Sequence, residues 1–264
     1  MEPMIKIALR AARKAGENIV RASDELHRFE VKAKGVNNFV TEVDINAEQE
    51  IIYQLQKAYP DHAILGEESG FIGSEDAEYR WIIDPLDGTT NFIRGIPHYA
   101  VSIACMYRGK LEHAVIVDPV RQEEFTASRG RGAQLNGHRI RVSELANLEG
   151  ALLGTGIPFK NHCDDKLEAY SKSIEVLASQ CAGIRRAGAA SLDLAYVAAG
   201  RLDAFWEIGL SSWDMAAGVL LVREAGGLVA DIDASDNYLD SGNIVCGNPK
   251  CFKAVLQVVK PLLS

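Results

Sequence analysis

The chain has 264 residues, 47% of them hydrophobic and 24% charged, with a net charge of -8 and a pI near 5.3. That balance excludes disordered and fibrous classes, and its acidity argues against a chain-wide electrostatic footprint for nucleic acid or an anionic membrane. The length suffices for one large domain or two intimately packed ones.

The N-terminal stretch MEPMIKIALRAARKAGENIV carries Arg and Lys at helical intervals instead of a signal peptide's continuous apolar run. No transmembrane-length apolar segment follows, so a cytoplasmic protein without a membrane contact is expected. Residues 4–22 set Ile5, Ala8, Leu9, Ala12, Ala15, Ile19 and Ala22 on one face, the period of a packing helix. From His27 to Val43 that period is lost, which predicts a mobile loop entering a second helix from about Asp44 to Ala58.

Short strands are then predicted at Ala63–Gly66, Trp81–Asp84, Tyr99–Tyr107, Leu111–Asp118 and Glu124–Ser128, with hairpin turns at Arg108-Gly109 and Asn136-Gly137. Residues 1–145 therefore read as an α+β part with a mostly antiparallel sheet. Further on, strands at Leu152–Gly154, Asp203–Glu207, Leu228–Ile232 and Asn243–Cys246 alternate with helices over 164–180, 189–199, 213–225 and 249–262. Residues 146–264 thus read as an α/β part with a largely parallel sheet. Neither a linker nor an internal repeat separates the parts. Five cysteines (Cys105, Cys163, Cys181, Cys246, Cys251) are odd in number and lack zinc-ligand spacing, so each is expected to act as a small hydrophobe.

The stretch that carries chemistry is Trp81–Phe92, WIIDPLDGTTNF. A buried apolar run ends in two carboxylates, Asp84 and Asp87, and then in residues suited to a tight turn and a helix start. Carboxylates at a strand end beside backbone N–H groups can hold a cation and an anion side by side. An isolated DPxDG is often ordinary turn chemistry. Here, however, AILGEES brings Glu67 and Glu68 to another strand end, and SSWDM brings Asp214 to a helix start. Oxygen ligands without His or Cys select Mg²⁺, with Mn²⁺ as a substitute.

GEES, WIIDPLDGTTNF and WDMAAG, with GRGAQLNG at 130–137 and GIRRAGAASLDLAYVAAGRLDAFWE at 183–207, resemble the signatures of the inositol monophosphatase family. The likeness covers nearly the whole chain and is closest to the bacterial extragenic-suppressor type. It implies a layered αβαβα sandwich, a homodimer, and a Mg²⁺-dependent phosphatase of small polyol monophosphates such as myo-inositol 1-phosphate. In the family pattern one ion takes Glu67, Asp84 and the Leu86 carbonyl, and a second takes Asp84, Asp87 and Asp214. Two or three ions are implied in all, with lithium as an inhibitor. Thr89, helped by Glu67, would orient and deprotonate the attacking water, and the Gly88 and Thr89 amides would cradle the phosphate.

Arg185, Gly188, Ala189, Ala190 and Glu207 match polyol-binding positions, and Ala189 stands where many relatives carry Ser or Thr. Lys34, Glu42 and Asp44 would lie near the site without ligating. Related enzymes make fructose-1,6-bisphosphatase and 3′-phosphoadenosine phosphate phosphatase the sibling alternatives. The suppressor type also implies a role in transcription antitermination and ribosomal RNA synthesis, with RNA polymerase or elongation-factor partners. The feature here that suits such a role is the basic cluster of Arg121, Arg129, Arg131, His138, Arg139 and Arg141.

Overall fold

Alternation along a single strand, Tyr79–Asp87, sets the layering. Trp81 and Ile83 join one core while Ile82, between them, joins another, as side chains of period two must when both faces of a sheet are covered. This computed structural model describes residues 2–25, 31–35, 38–157 and 166–264, with the backbone of 31–35 and 38–40. The first half builds α1 (Pro3–Ser23), β1 (Val31–Gly35), β2 (Asn38–Thr41), α2 (Glu42–Ala58), β3 (Ala63–Gly66), β4 (Gly70–Ile72), β5 (Tyr79–Asp87), α3 (Thr89–Ile93), β6 (Ala100–Tyr107), β7 (Lys110–Asp118), β8 (Glu123–Ser128), β9 (Gly132–Leu135) and β10 (His138–Arg139). The second adds β11 (Leu152–Thr155), α4 (Leu167–Ala178), β12 (Gly183–Arg185), α5 (Ala190–Ala198), β13 (Ala204–Glu207), α6 (Ser212–Glu224), β14 (Leu228–Ala230), α7 (Tyr238–Ser241), β15 (Ile244–Gly247) and α8 (Pro249–Leu263).

Five layers result. Helices α1 and α2 cover one face of the eight-stranded sheet β10-β9-β8-β7-β6-β5-β3-β4, packing Ile5, Leu9, Ile19, Ile51 and Leu55 on Trp81, Ile83 and Ile103. Its other face packs through Ile82, Ala104 and Ile116 on α5 and α6, and these in turn meet Phe205 and Cys246 of the five-stranded sheet β12-β11-β13-β15-β14. Ala204, Trp206 and Val245, from the far face, pack on α4 and α8. This is the layered αβαβα sandwich that the sequence implies.

In the larger sheet every pairing is antiparallel except β3 with β5. In the smaller sheet β12, β11 and β13 pair in parallel, and β14 shares their direction because both β13 and β14 pair antiparallel with β15. The largely parallel expectation therefore holds for four of the five strands, and β15 alone runs back. Arg108-Gly109 and Asn136-Gly137, all at positive φ, close the β6–β7 and β9–β10 hairpins as the sequence predicts.

The loop expected over His27–Val43 needs correction. Residues 31–35 and 38–41 pair as an antiparallel hairpin, while 26–30 and 36–37 lie outside the described residues. The hairpin joins neither large sheet, so no apolar alternation marked it. The second helix begins at Glu42 rather than Asp44, because Thr41 and Asp44 form a capping box in which Asp44 is the third residue. The start of the helix predicted over 164–180, and Cys163, also lie outside the described residues. Cys105, Cys246 and Cys251 are buried, Cys181 is half-buried, and all four are free. No helix among the described residues is long and apolar enough to cross a membrane.

Trp81 is 1% exposed, and its Nε1 donates to His62 Nδ1 at 3.1 Å. Trp81→Ala is expected to lower unfolding stability by about 3–5 kcal/mol in urea titrations, the range for deleting a buried indole. A loss of only a few tenths of a kcal/mol, as a surface change gives, would contradict the packing.

Candidate functional site

Asp84 and Asp87 are three residues apart, which in a regular strand would turn them to opposite faces. A bulge prevents this: Asp84 pairs with Ser102 and Asp87 with Ala100, so three steps on β5 match two on β6. Pro85, which has no N–H to donate to a ladder, sits inside the bulge. Parallel pairing of Gly66 with Ile83 then brings the end of β3 alongside, where Glu67 N donates to Ile83 O at 3.1 Å. From the second half, Asp214 arrives as the third residue of α6, its Oδ2 accepting from Ser211 N at 2.6 Å in a capping box.

These carboxylates act on one another. Asp84 and Asp87 are buried, and desolvation raises both proton affinities, Asp84 well above the ordinary carboxylate range and Asp87 to about 6. Glu67, Asp87 and Asp214 push Asp84 further, while the N–H of Leu86, 3.0 Å from its Oδ1, pulls the other way. Asp214 also rises well above its ordinary value, through desolvation first and then Asp87, Glu67 and Glu207. Desolvation lifts Glu207 to about 8, helped by Asp193 and Asp87 and opposed by Arg186. Like charges held together this way stay partly protonated unless a cation neutralises them.

Among the described residues no three His, Cys, Asp or Glu side chains are gathered closely enough to enclose an ion as they stand. The site is therefore a set of interacting carboxylates and not a finished ligand shell. Its donor chemistry, all carboxylate without imidazole or thiolate, fits a hard divalent cation. Glu67, Asp84, Asp87, Asp214 and the buried Leu86 backbone are the groups available to hold one.

Around them, Thr89 Oγ1 donates to Asp44 Oδ1 and Leu86 O, both at 3.0 Å. The carboxylate bonded to Thr89 is thus Asp44, which the sequence put near the site, and Lys34 lies on β1. Gly88 caps the five-residue α3 at φ 94°. A Cβ there would lie 3.0 Å from His98 O and 3.3 Å from both Gly188 O and Ala189 Cβ, so close approach as well as conformation requires glycine. The 84–91 and 187–191 segments touch elsewhere too. Ser191 N and Oγ donate to Asp87 Oδ2, the amide at 2.7 Å, and Asn91 Nδ2 donates to Ala187 O at 2.9 Å.

Ala189 and Ala190 are buried at the start of α5. Glu207, at the end of β13, fills space that a side chain at Gly156 would occupy, 1.7 Å from an added Cβ. Arg185 is exposed and its Nη1 donates to Ile184 O, so the guanidinium that acts on Glu207 is that of Arg186. Sequence reasoning also missed Glu48, Ser191 and Asp193. Buried polar positions on helical faces were the available signal, Glu48 falling one turn after Asp44 and Ser191 and Asp193 inside the GAASLD run.

The sequence profile of the inositol monophosphatase family matches residues 1–262. A protein named Nus factor SuhB from Pseudomonas aeruginosa is 64% identical over 265 residues, covering all of this chain and 98% of that protein. Among solved structures, extragenic suppressor protein suhB from Bartonella henselae superposes with a TM-score of 0.95 at 43% identity, covering 98% of this chain and 99% of its own. An inositol monophosphatase from Anabaena gives a TM-score of 0.86 at 34% identity, with 98% and 95% covered.

A raised carboxylate pKa means that the folded state holds its proton more tightly than the unfolded state, so stability present at low pH is lost as pH rises through the folded value. His62, His98 and His113 are all lowered from 6.5, so the opposite slope they add fades within about a unit above that value. In EDTA the melting temperature is therefore expected to fall as pH approaches 8, the value about which Glu207 ionises. Glu207→Gln should flatten the fall. A profile that is flat or rising in the unaltered chain would contradict the shifts.

Proposed function

Because the chain belongs to the inositol monophosphatase family, we propose that it is a Mg²⁺-dependent phosphatase of small polyol monophosphates, with myo-inositol 1-phosphate as the substrate its residues suit best. The observation that carries this reading is the raised proton affinity of Asp84, Asp87 and Asp214, with Glu67 acting on all three, carboxylates from three separate parts of the chain. When bound there, divalent ions supply Lewis-acid activation of a water and neutralise charge on the leaving oxygen.

The protein's own part begins with Thr89. Its hydroxyl proton is directed to Asp44 and Leu86 O, which turns its lone pairs toward a water as acceptor. With Glu67 at the neighbouring strand end, Thr89 orients that water and draws its proton away. Amides of Gly88 and Thr89 grip the phosphate. Because α3 has only five residues, its macrodipole adds little, and the grip rests on the local N–H groups.

The alcohol portion meets Gly188, Ala189 and Ala190, small residues that admit a sugar-like ring to the backbone, with Glu207 accepting its hydroxyls. Ala189 offers no hydroxyl in return. Arg185, exposed at the rim, contacts substrate from outside. A homodimer in the cytoplasm, inhibited by lithium, belongs to the same reading. TTNF after DG favours the inositol branch over fructose-1,6-bisphosphatase or 3′-phosphoadenosine phosphate phosphatase activity.

Phosphate release from myo-inositol 1-phosphate is expected to vanish in EDTA and to fall at least about a hundredfold in Asp87→Asn, the several kcal/mol that metal-ion catalysis contributes. Turnover retained in either case defeats the mechanism, and kcat/KM over the three substrate classes ranks the alternatives.

A second reading rests on the name Nus factor carried by relatives as similar as 64% and 52% identical. In this reading the chain also serves transcription antitermination and ribosomal RNA synthesis by joining RNA polymerase and its elongation factors. Arg131, His138, Arg139 and Arg141 are exposed on and beside the β9–β10 hairpin, which suits an acidic partner. Capture of RNA polymerase with its elongation factors should drop in Arg131→Glu/Arg139→Glu while phosphatase turnover persists. Equal capture by this variant would discard the surface.

A further inference from the structure

Glu48 follows Asp44 by four residues on α2, so the two carboxylates share a helix face. Both are buried, at 2% and 1% exposure. Asp44 holds the Thr89 hydroxyl. Glu48 reaches the other side of the site, where its Oε1 accepts from Glu68 N at 3.0 Å and its Oε2 from Ser69 N at 2.8 Å. Since Glu67 N already donates to Ile83 O, three consecutive amides are tied, one to β5 and two to α2. Glu67 sits on a turn with little backbone freedom left.

The turn has been cleared to make room for this grip. A Cβ on residue 66 would lie 2.3 Å from Glu48 Oε1 and 2.7 Å from both Glu48 Cδ and Ser69 Oγ, so only glycine leaves the carboxylate its place. Burying a carboxylate is unfavourable unless it is hydrogen-bonded, and here two backbone amides supply those bonds. An apolar side chain could fill the same volume of the α2 face. It could not hold the turn.

We propose that Glu48 is a positioning residue for the cation site, fixing through the 67–69 turn where Glu67 presents its carboxylate. Helix α2 then aligns two sides of the site at once, Thr89 through Asp44 and Glu67 through Glu48. The inference rests on the metal-dependent reading given above. It adds a residue outside the ligand set whose removal is felt in metal affinity before anything else.

Mn²⁺ is the probe, with free ion measured by electron paramagnetic resonance in the presence of the full chain. Glu48→Gln keeps the shape but turns an NH₂ toward one of the two amides. It is expected to weaken Mn²⁺ binding about tenfold, in the range seen when an outer partner of a metal ligand is lost. In turnover assays the loss should appear in the apparent metal constant rather than in kcat at saturating metal. Gly66→Ala, which displaces the Glu48 carboxyl, should give a similar loss, yet add little in a Glu48→Ala background where the space is vacant. Unchanged Mn²⁺ affinity in Glu48→Gln, with only a lowered melting temperature, overturns the proposal while leaving the metal site standing. No Mn²⁺ binding by the unaltered chain overturns the metal reading itself, and the proposal with it.

Discussion

Repulsion between like charges is the constraint the rest of the structure serves. Glu67 is close enough to raise the proton affinity of Asp84, Asp87 and Asp214, and Asp87 that of Glu207, and for Asp84, Asp87, Asp214 and Glu207 desolvation is the larger cause. Backbone amides counter it locally. Asp84 accepts from Leu86 N, Asp87 from Ser191 N and Asp214 from Ser211 N, each bond favouring the ionised form and fixing the direction of one carboxyl oxygen. Burial nevertheless wins at all three, and their proton affinities stay above the ordinary carboxylate value.

No single element could gather these groups. β5 contributes two carboxylates only because a bulge turns Asp87 to the side of Asp84, β3 adds Glu67 through the one parallel pairing in its sheet, and α6 adds Asp214 at its first turn. The middle layer joins both sheets, so the Ser191–Asp87 contact and the Asn91–Ala187 contact tie the first half of the chain to the second at the site itself. Residues before 145 supply Glu67, Asp84 and Asp87, and residues after it supply Asp214 and Glu207.

Much of this was legible in the sequence because each strand bearing one of these carboxylates also carried an apolar run ending in an acidic turn. Ala63–Gly66 matches its strand to the residue, and helix starts with Ser or Thr caps fall within one or two positions. What escaped had no such signature. The β1–β2 hairpin pairs only with itself, β4 and β12 have three residues each, and the bulge at Pro85 is invisible to a period-two reading. Glu48 and Asp193 escaped for a different reason. A buried carboxylate on a helix reads as solvated until its tertiary partners are known. The choice between Arg185 and Arg186 likewise depends on which way each side chain leaves β12 and the turn after it, and spacing alone does not decide that.

The order of strands in the larger sheet has a bearing on evolution. Of the basic residues, His138 and Arg139 lie on β10 and the acidic strand end on β5, with β9, β8, β7 and β6 between them, or about 24 Å across at the usual strand spacing. A macromolecule docked on that far margin would leave the acidic strand end uncovered, and mutations could accumulate on one without disturbing the other. A lineage could thus let hydrolysis decay, or sharpen it, while keeping a scaffold surface under separate selection.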